Sequence, residues 1–368
     1  MSEAGTLQNH RKPSYLPGLD GWRAIAIFAV ICSHDPDSHG IGFLNTWRMH
    51  QVGWAGVDLF FAISGLLICS RLLEEEQMNG RISLRGFYTR RVFRIFPAAY
   101  AFLAVCLALG FSHQIPGSLP ATLAAALMIR NYWGIYSGVP PNELYTDHFW
   151  SLSVEEHFYL ILPAVLVFVR RRILLLAIMS AAAFSWFLLF IRYGKVTNSL
   201  SLSRTDLRLH GLLIPALLAL VLARPGIRDF ARRWVRPWFW IALVCILGTT
   251  IHRLSLGLRI GVVGICFPFL VLSTLLHPQS IACRILEWKP LRYVGRLSYG
   301  IYLWQQIFMF RSAPIRWPFA ALQAFRPLLL CRGQLLYSRE TTHQTWPSIG
   351  AARHAGKVGP SGRNCRQA

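Results

Sequence analysis

Arg23 and His34 are the residues of this sequence whose types and spacing most clearly indicate chemistry. Both fall in a mostly apolar stretch that begins at Gly18, which predicts a membrane-spanning helix. Eleven residues at about 100° each make three turns plus roughly 20°, so both side chains lie on one face, roughly 16 Å apart along the axis. Ionisable groups are costly inside a membrane and by default mark a functional site. The pair suggests a ligand anchor at one end and proton chemistry at the other.

A structural interpretation of the same pair stays open. In that interpretation Arg23 snorkels to the cytoplasmic surface, and His34 caps the outer end of the helix. Asp20, at the cytoplasmic start of the same helix, places a carboxylate near Arg23. The shared face and this third charged residue together favour function.

Arg91 and Arg94 form a second candidate. They are three residues apart and are therefore neighbours on a helix face. A pair of planar guanidinium groups suits bidentate binding of phosphate. The alternative is ordinary cytoplasmic positive charge, because other arginines lie in the same segment.

The block from Trp150 to Tyr159 supplies a carboxylate. Ser153 and Glu156 fit a capping box at a helix start. Glu155 then faces another way, at a depth of about 10 Å if the span begins near residue 148. His34 could share that depth, and a carboxylate beside an imidazole can orient it and raise its basicity. The sequence therefore predicts that Glu155 works with His34.

Supporting positions come from three further places. Asp58 lies early in the second apolar segment and is predicted to be a partner in a polar network rather than a catalyst. The pair Ser64-Gly65 is expected to serve close helix packing. Tyr299 and Tyr302 share a face, for which aromatic packing is the simplest account. Trp150 and Ser151 precede Glu155 on its helix and complete the supporting set.

Composition indicates the class of protein that must position these residues. Of 368 residues, 54% are hydrophobic and 15% are charged, which is typical of a polytopic membrane protein. The formal net charge is +22, but most basic residues cluster in short loops between apolar segments, so a nucleic-acid partner is not favoured. The eight cysteines show no CxxC pair and indicate neither a metal site nor a disulfide framework.

The sequence predicts an all-α integral membrane bundle with nine to ten transmembrane helices plus one re-entrant or interfacial helix. The apolar segments lie near 17–34, 53–70, 95–112, 117–130, 148–169, 172–192, 207–223, 237–252, 258–276 and 297–311. The segment 117–130 is short for a span and starts with prolines, so we assign it as the re-entrant or interfacial helix. A tenth span at 315–331 would contain Arg326 and Pro327.

Loop charges predict the topology. If 117–130 does not cross, the basic loops 71–94, 224–236 and 277–296 all fall in the cytoplasm, together with the N-terminus, and 113–147 lies outside. The chain divides into a membrane domain, 1–312, and an atypical basic tail, 313–368, that we expect to be disordered or a degraded last span. No cleavable signal peptide is expected, since the first ten residues are polar.

In this order, the blocks resemble membrane-bound acyltransferase family 3, which includes O-acetyltransferases of bacterial surface polysaccharides such as O-antigen. The family's opening motif corresponds to Leu19 to Arg23 with His34, and its paired arginines correspond to Arg91 and Arg94. Its Trp-Ser-Leu-x-x-Glu motif corresponds to Trp150 to Glu155. Its Ser-Tyr-Gly-Ile-Tyr-Leu-Trp motif corresponds to Ser298 to Trp304. The family usually has histidine at the next position, where this chain has Gln305.

The resemblance implies a multi-pass protein of the bacterial inner membrane that moves an acyl group, most often acetyl, from acyl-CoA to a carbohydrate hydroxyl. No bound cofactor and no metal are expected, because acyl-CoA is a substrate. The hydroxyl would belong to a surface polysaccharide, a lipid-linked sugar or a secreted glycan. Arg23, Arg91 and Arg94 would then bind acyl-CoA, while His34 acts as general base.

Two other functions stay open from the sequence. A transporter or flippase for an anionic or lipid-linked intermediate would use Arg23 and His34 to line a path. A non-catalytic membrane scaffold would leave both residues without a reason. Acyl transfer from acyl-CoA separates the first alternative from the enzyme.

Overall fold

The computed structural model describes residues 16–34, 53–136, 145–194, 199–251 and 254–309. In these ranges the chain is helical, with one short 3-10 segment at Ser199–Ser203. The α-helices are α1 (Pro17–His34), α2 (Gly53–Asn79), α3 (Leu84–Phe111), α4 (Leu119–Ala126), α5 (Arg130–Tyr136), α6 (Phe149–Phe168), α7 (Arg172–Tyr193), α8 (Thr205–Arg208), α9 (His210–Leu222), α10 (Pro225–Ile251), α11 (Leu256–Leu276), α12 (Ile281–Leu286) and α13 (Lys289–Met309). The all-α prediction is confirmed for these residues.

Five of these helices are long and apolar enough to cross a membrane, namely α2, α3, α6, α7 and α11. A sixth span results if α9 and the first part of α10 count as one bent pair. The helices α1 and α13 carry charged residues and fall outside this set. The described residues therefore support a multi-pass membrane protein, whereas the predicted count of nine to ten spans stays a prediction. The proposed tenth span, 315–331, and the tail lie outside the described residues.

Two predicted loops are largely helical. The segment 71–94 was expected to be a loop, but α2 continues to Asn79 and α3 begins at Leu84, so the connection is short. Gly80 makes this turn possible with a φ of 70°, a conformation that glycine adopts without strain. The basic segment 224–236 likewise belongs to α10, whose first part bends by 117° from α9. The charge pattern did not reveal that these basic segments are helical, and the side of the membrane on which they lie stays a prediction.

The segment 117–130, predicted not to cross, contains an eight-residue helix, α4, and the start of a seven-residue helix, α5. Ser118 caps α4 through its side-chain oxygen, which accepts from the Ala121 amide. Each helix is far shorter than the roughly 20 residues of a span. Neither helix alone is long enough to cross a membrane, and the re-entrant or interfacial position of this segment stays a prediction.

Glycines bring α1 into close contact with its neighbours. A Cβ at Gly295 on α13 would lie 1.7 Å from the carbonyl oxygen of Asp20, and a Cβ at Gly56 on α2 would lie 2.5 Å from that of Ala26. Gly53 faces Ser33 in the same way, so α1 and α2 run antiparallel. Because this register relates residues of α1 to residues of α2, the positions of functional side chains along the two helices can be compared.

Candidate active site

Arg23 and Asp20 lie one turn apart on α1 and form an ion pair. Arg23 Nη1 is 3.6 Å from Asp20 Oδ1, with side-chain exposures of 22% and 6%. Trp22, the neighbour of Arg23, instead anchors α1 to α11 through a hydrogen bond of 2.9 Å from its Nε1 to Thr274 Oγ1. The arginine is thus held on α1 while part of its side chain stays accessible.

Glu155 is fixed by two hydroxyl groups. Ser64 Oγ on α2 donates to Glu155 Oε1 at 2.9 Å, and Tyr159 OH, one turn further along α6, donates to Glu155 Oε2 at 2.9 Å. Both carboxylate oxygens therefore have partners. Ser64, expected only to serve packing, is a member of the polar site, whereas Gly65 fulfils the packing role because a Cβ there would lie 2.4 Å from the carbonyl oxygen of Leu212.

The two arginines of α3 lie beside this carboxylate. The Arg91 guanidinium stacks over the Tyr159 ring, 4.2 Å from its centroid. Coulombic interactions connect Glu155 with Arg91 and Arg23, and connect Arg94 with Arg23 and Arg91. The structure thus brings together the three arginines predicted to bind the acyl donor. We refer to Arg23, Arg91 and Arg94 with Ser64, Glu155 and Tyr159 as the arginine cluster.

Most side chains of the arginine cluster are at least partly exposed. Arg94 is exposed, and Arg23, Ser64, Arg91 and Glu155 are partly exposed, although helices α1, α2, α3 and α6 surround them. Tyr299 of α13 also faces this region, and its hydroxyl donates to the Ile95 carbonyl at 2.8 Å. The predicted supporting role of Tyr299 therefore takes the form of a link between α13 and α3. Together these side chains form a partly exposed, positively charged region where the helices meet.

His34 lies at the other end of α1. It is the last residue of the helix, and its side chain lies outside the described residues. Its neighbour Ser33 faces Gly53, whereas Glu155 binds Ser64, eleven residues or about 16 Å further along α2. The expectation that Glu155 shares the depth of His34 is therefore wrong. That expectation assumed that α6 begins at the level where α1 ends.

The start of α6 lies beside Asp58, closer to the His34 end of α1 than the arginine cluster does. Asp58 on α2 pairs with Arg208 of α8 at 2.8 Å, with side-chain exposures of 3% and 0%. The Arg208 guanidinium lies 5.1 Å from the ring centroid of Trp150 and 5.9 Å from that of Trp54. We call Trp54, Asp58, Trp150 and Arg208 the tryptophan layer. It confirms Asp58 as a network partner and places Trp150 between the arginine cluster and the end of α1.

Ser151 and Tyr302 extend this layer toward α13. Their hydroxyls are 2.5 Å apart, and the Tyr302 hydroxyl is also 3.1 Å from the backbone carbonyl of His148, to which it can donate. Tyr302 was expected only to pack. Its position one turn after Tyr299 was a usable signal, since both hydroxyls bond across helices.

The predicted capping box is wrong. Helix α6 begins at Phe149, so Ser153 and Glu156 both lie inside it. Ser153 Oγ donates instead to the Phe149 carbonyl at 2.9 Å. The residues Thr146 to His148 form a turn that continues directly into α6. The helix therefore begins about one helical turn before Ser153, where the capping box had placed its start.

An ion pair between a buried arginine and a partly exposed aspartate precedes α6 outside the membrane-spanning segments. Arg130 Nη2 is 3.4 Å from Asp147 Oδ1, and Arg130 Nε donates to Thr146 Oγ1 at 3.3 Å. Burial raises the pKa of Asp147 from 3.8 to about 6, and the Arg130 guanidinium partly opposes this rise. Burial also lowers the pKa of Arg130.

The described residues contain no group of three or more histidine, cysteine, aspartate or glutamate side chains that could hold a metal ion. Six cysteines in the described ranges are free thiols. The arginine cluster offers three guanidinium groups, which suit the binding of a multiply charged anion.

Comparison with known proteins identifies the family of the chain. The acyltransferase domain model matches residues 16–330. The chain is 30% identical over 332 residues to the peptidoglycan O-acetyltransferase OatA of Listeria monocytogenes, covering 82% of this chain and 50% of that protein. It is 31% identical over 324 residues to O-acetyltransferase OatA of Staphylococcus aureus, covering 81% and 51% respectively.

A further relative is the putative peptidoglycan O-acetyltransferase YrhL of Bacillus subtilis, 31% identical over 337 residues, which cover 84% of this chain and 50% of that protein. The chain thus spans about half the length of the curated relatives it matches. No solved structure gives a significant match.

Proposed function

The chain belongs to the acyltransferase family whose domain model covers residues 16–330, and on this premise we propose that it transfers an acetyl group from acetyl-CoA to a carbohydrate hydroxyl. Three relatives at 30–31% identity carry the name O-acetyltransferase, and two of those names specify peptidoglycan. A glycan of the peptidoglycan class is therefore the preferred acceptor. The broader acyltransferase activity follows from the family itself.

The arginine cluster carries the proposal for the donor. Acetyl-CoA bears a diphosphate and a separate ribose phosphate, and planar guanidinium groups bind such oxygens in bidentate fashion. Arg23, Arg91 and Arg94 come from two helices, interact electrostatically and are at least partly exposed. Neighbouring like charges repel one another, and a multiply charged anion bound between them would reduce that repulsion.

His34 carries the proposal for catalysis. The imidazole accepts the proton of the acceptor hydroxyl while the hydroxyl oxygen attacks the thioester carbonyl. The bond from carbonyl carbon to sulfur then breaks, and the CoA thiolate leaves with the electron pair. A histidine pKa near 6.5 suits this role at neutral pH. The roughly 16 Å between Arg23 and His34 is spanned by the extended pantetheine arm of the donor.

Glu155 receives a revised role. It lies beside Arg91 and Tyr159 rather than at the depth of His34. We therefore propose that Glu155 is a positioning residue that holds the arginine cluster in place for the donor phosphates. Asp20 positions Arg23 in the same way.

The orientation is part of the proposal. Positive charge predicts that the N-terminus and the loops around 80–83 and 277–280 face the cytoplasm of a bacterial inner membrane. The accessible arginine cluster lies toward this side, where acetyl-CoA is made. The end of α1 lies toward the acceptor.

Labelled acetyl transfer in membrane vesicles tests the proposal. Vesicles that contain the protein should move label from acetyl-CoA to an added glycan acceptor, and His34→Gln should abolish the transfer while the protein still inserts. Glutamine keeps a hydrogen-bonding side chain but cannot take the proton. A matched control is Gln306→Ala on α13, a buried residue to which we assign no role. Parent-like transfer by the His34→Gln variant would exclude His34 as the base.

A further inference from the structure

The first part of α10, residues 225–235, turns away from the helix that precedes it. Helix α9 packs against α2, where a Cβ at Gly65 would lie 2.4 Å from the Leu212 carbonyl oxygen. The helix axis then bends by 117° between α9 and residues 225–235. This part of α10 therefore runs at a steep angle to α9. The sequence had identified it only as a basic segment.

Three kinds of side chain occupy different sides of residues 225–235. Ile227, Phe230 and Trp234, which we call the apolar stripe, fall within about 60° of one another around the helix axis. They are 36%, 63% and 57% exposed. Ala231 and Val235 lie on the side that packs against α11. Exposed charged residues occupy the remaining side, namely Asp229, Arg232 and Arg233. An exposed apolar stripe beside a basic face is typical of a helix that lies on a membrane surface.

Contacts with α11 place this segment at the edge of the bilayer. Helix α11 has 21 residues and is about 31 Å long, close to the roughly 30 Å of the hydrocarbon layer. Its last residue, Leu276, packs with Val235, and Arg232 Nε donates to the Leu276 carbonyl at 3.3 Å. A helix of this length that spans the membrane ends near the membrane boundary. Residues 225–235 therefore lie close to that boundary.

A second exposed apolar surface lies at the same end of α11. Helix α12 begins shortly after Leu276, and the side chains of Ile281, Ile285 and Trp288 are exposed. Together with Arg284 they line an open groove of about 420 Å³. Exposed tryptophans beside arginines are typical of the interface between lipid and water. This surface thus supports the same level for the membrane boundary from a different part of the chain.

Charge indicates what covers the apolar stripe. Arg233 lies about 60° from Phe230 around the axis, is exposed and forms no ion pair within the described residues. Its guanidinium group can reach a phosphate while the stripe contacts acyl chains. A second copy of the chain would instead bring the same arginines together, which like charges oppose. We propose that residues 225–235 lie along the membrane surface and bind anionic phospholipid, with the apolar stripe among the acyl chains and Arg233 at a lipid phosphate.

The depths of nitroxide labels test the placement without acyl-CoA, so the result is independent of the proposed function. The labels are attached to single cysteines in a full-length chain whose native cysteines are replaced by alanine. The protein is placed in vesicles of phosphatidylcholine and phosphatidylglycerol. Labels at 227, 230 and 234 should lie at similar depths in the acyl region, where they collide with oxygen. A label at 229, on the opposite side, should collide with an aqueous nickel chelate.

Three results would overturn the placement. A depth that increases steadily from 226 to 235 shows that the segment crosses the membrane. Labels at 227, 230 and 234 that collide with the nickel chelate show that the apolar stripe faces water. Labels at these positions that are protected from both reagents show that protein covers the stripe.

Photoreactive lipids test the anionic preference in the chain with its native cysteines. Phosphatidylglycerol and phosphatidylcholine with the same diazirine acyl chain are compared by mass spectrometry of the crosslinks to residues 225–235. The parent should favour phosphatidylglycerol at least about fivefold, the effect of one cationic side chain near a lipid surface. Arg233→Gln should lower this preference about fivefold. Arg233→Lys keeps the charge and should retain most of the preference.

The matched control is Arg81→Gln, which removes an exposed arginine in the turn before α3 and should leave the preference unchanged. Equal crosslinking of both lipids to the parent would overturn the assignment of an anionic lipid. A preference that survives Arg233→Gln would overturn the role of Arg233. An equal loss in Arg81→Gln would show that the total charge of the protein, rather than this segment, attracts the lipid.

Discussion

Removal of the Asp58 charge should destabilise the protein more than most single substitutions. Asp58 and Arg208 are 3% and 0% exposed and lie 2.8 Å apart between two tryptophans. Asp58→Asn leaves the guanidinium buried without its counter-charge. Breaking a buried pair in this way costs about 3–5 kcal/mol, so we expect a loss in that range.

The matched double variant separates charge from packing. Asp58 Oδ2 and Arg208 Nη2 have no hydrogen-bond partner in the part of the chain that the structure describes. An apolar pair at these positions, Asp58→Leu with Arg208→Met, should therefore cost clearly less than Asp58→Asn alone, because no unpaired charge stays buried. Asparagine has nearly the same size as aspartate, so the loss of stability in Asp58→Asn is electrostatic.

The assay is reversible unfolding of the purified protein in mixed detergent micelles with increasing SDS, followed by tryptophan fluorescence. A double-mutant cycle with Asp58→Asn, Arg208→Met and both together gives the coupling between the two residues. A loss below about 1 kcal/mol for Asp58→Asn, in the range of exposed ion pairs, would refute the reasoning. An Asp58→Leu/Arg208→Met variant that is less stable than Asp58→Asn alone would refute it as well.

Three further predictions concern packing, pH and the arginine cluster. Gly295→Ala should destabilise the protein by more than about 2 kcal/mol, since its Cβ would lie 1.7 Å from the Asp20 carbonyl oxygen; Gly226→Ala, with open space around it, is the control in the same unfolding assay. Because burial raises the folded-state pKa of Asp147 to about 6, the free energy of unfolding should fall as pH rises from about 4 to 6; Asp147→Asn should remove that slope, and an unchanged slope contradicts the assignment. Glu155→Gln should raise the KM for acetyl-CoA more than it lowers kcat, whereas loss of kcat alone would indicate a role in proton transfer.

Helix positions could be predicted well because length and apolar character depend on neighbouring residues. The predicted segment 17–34 coincides with α1, and 172–192 differs from α7 by one residue. The grouping of Arg91 with Arg94 followed from spacing alone, since helical residues three apart are neighbours. These features are local and need no knowledge of the tertiary structure.

Contacts between helices could not be predicted in the same way. Glu155 was assigned to the depth of His34 because its distance from the start of α6 was known, whereas the level at which α6 starts was not. Its real partners, Ser64 and Tyr159, depend on the register between α2 and α6. Arg208 was missed for a similar reason, because its four-residue helix has no periodic pattern and its partner Asp58 is 150 residues away.

Binding of labelled CoA to the protein in lipid nanodiscs tests the central claim most directly, namely that the arginine cluster holds the donor phosphates. The parent and His34→Gln should bind CoA equally, while Arg91→Ala with Arg94→Ala should weaken binding at least about tenfold, as expected for the loss of two charge-assisted contacts. Arg81→Ala, an exposed arginine in the turn before α3, is the control for general charge and should bind like the parent. Unchanged binding by a folded Arg91→Ala/Arg94→Ala variant would contradict the account.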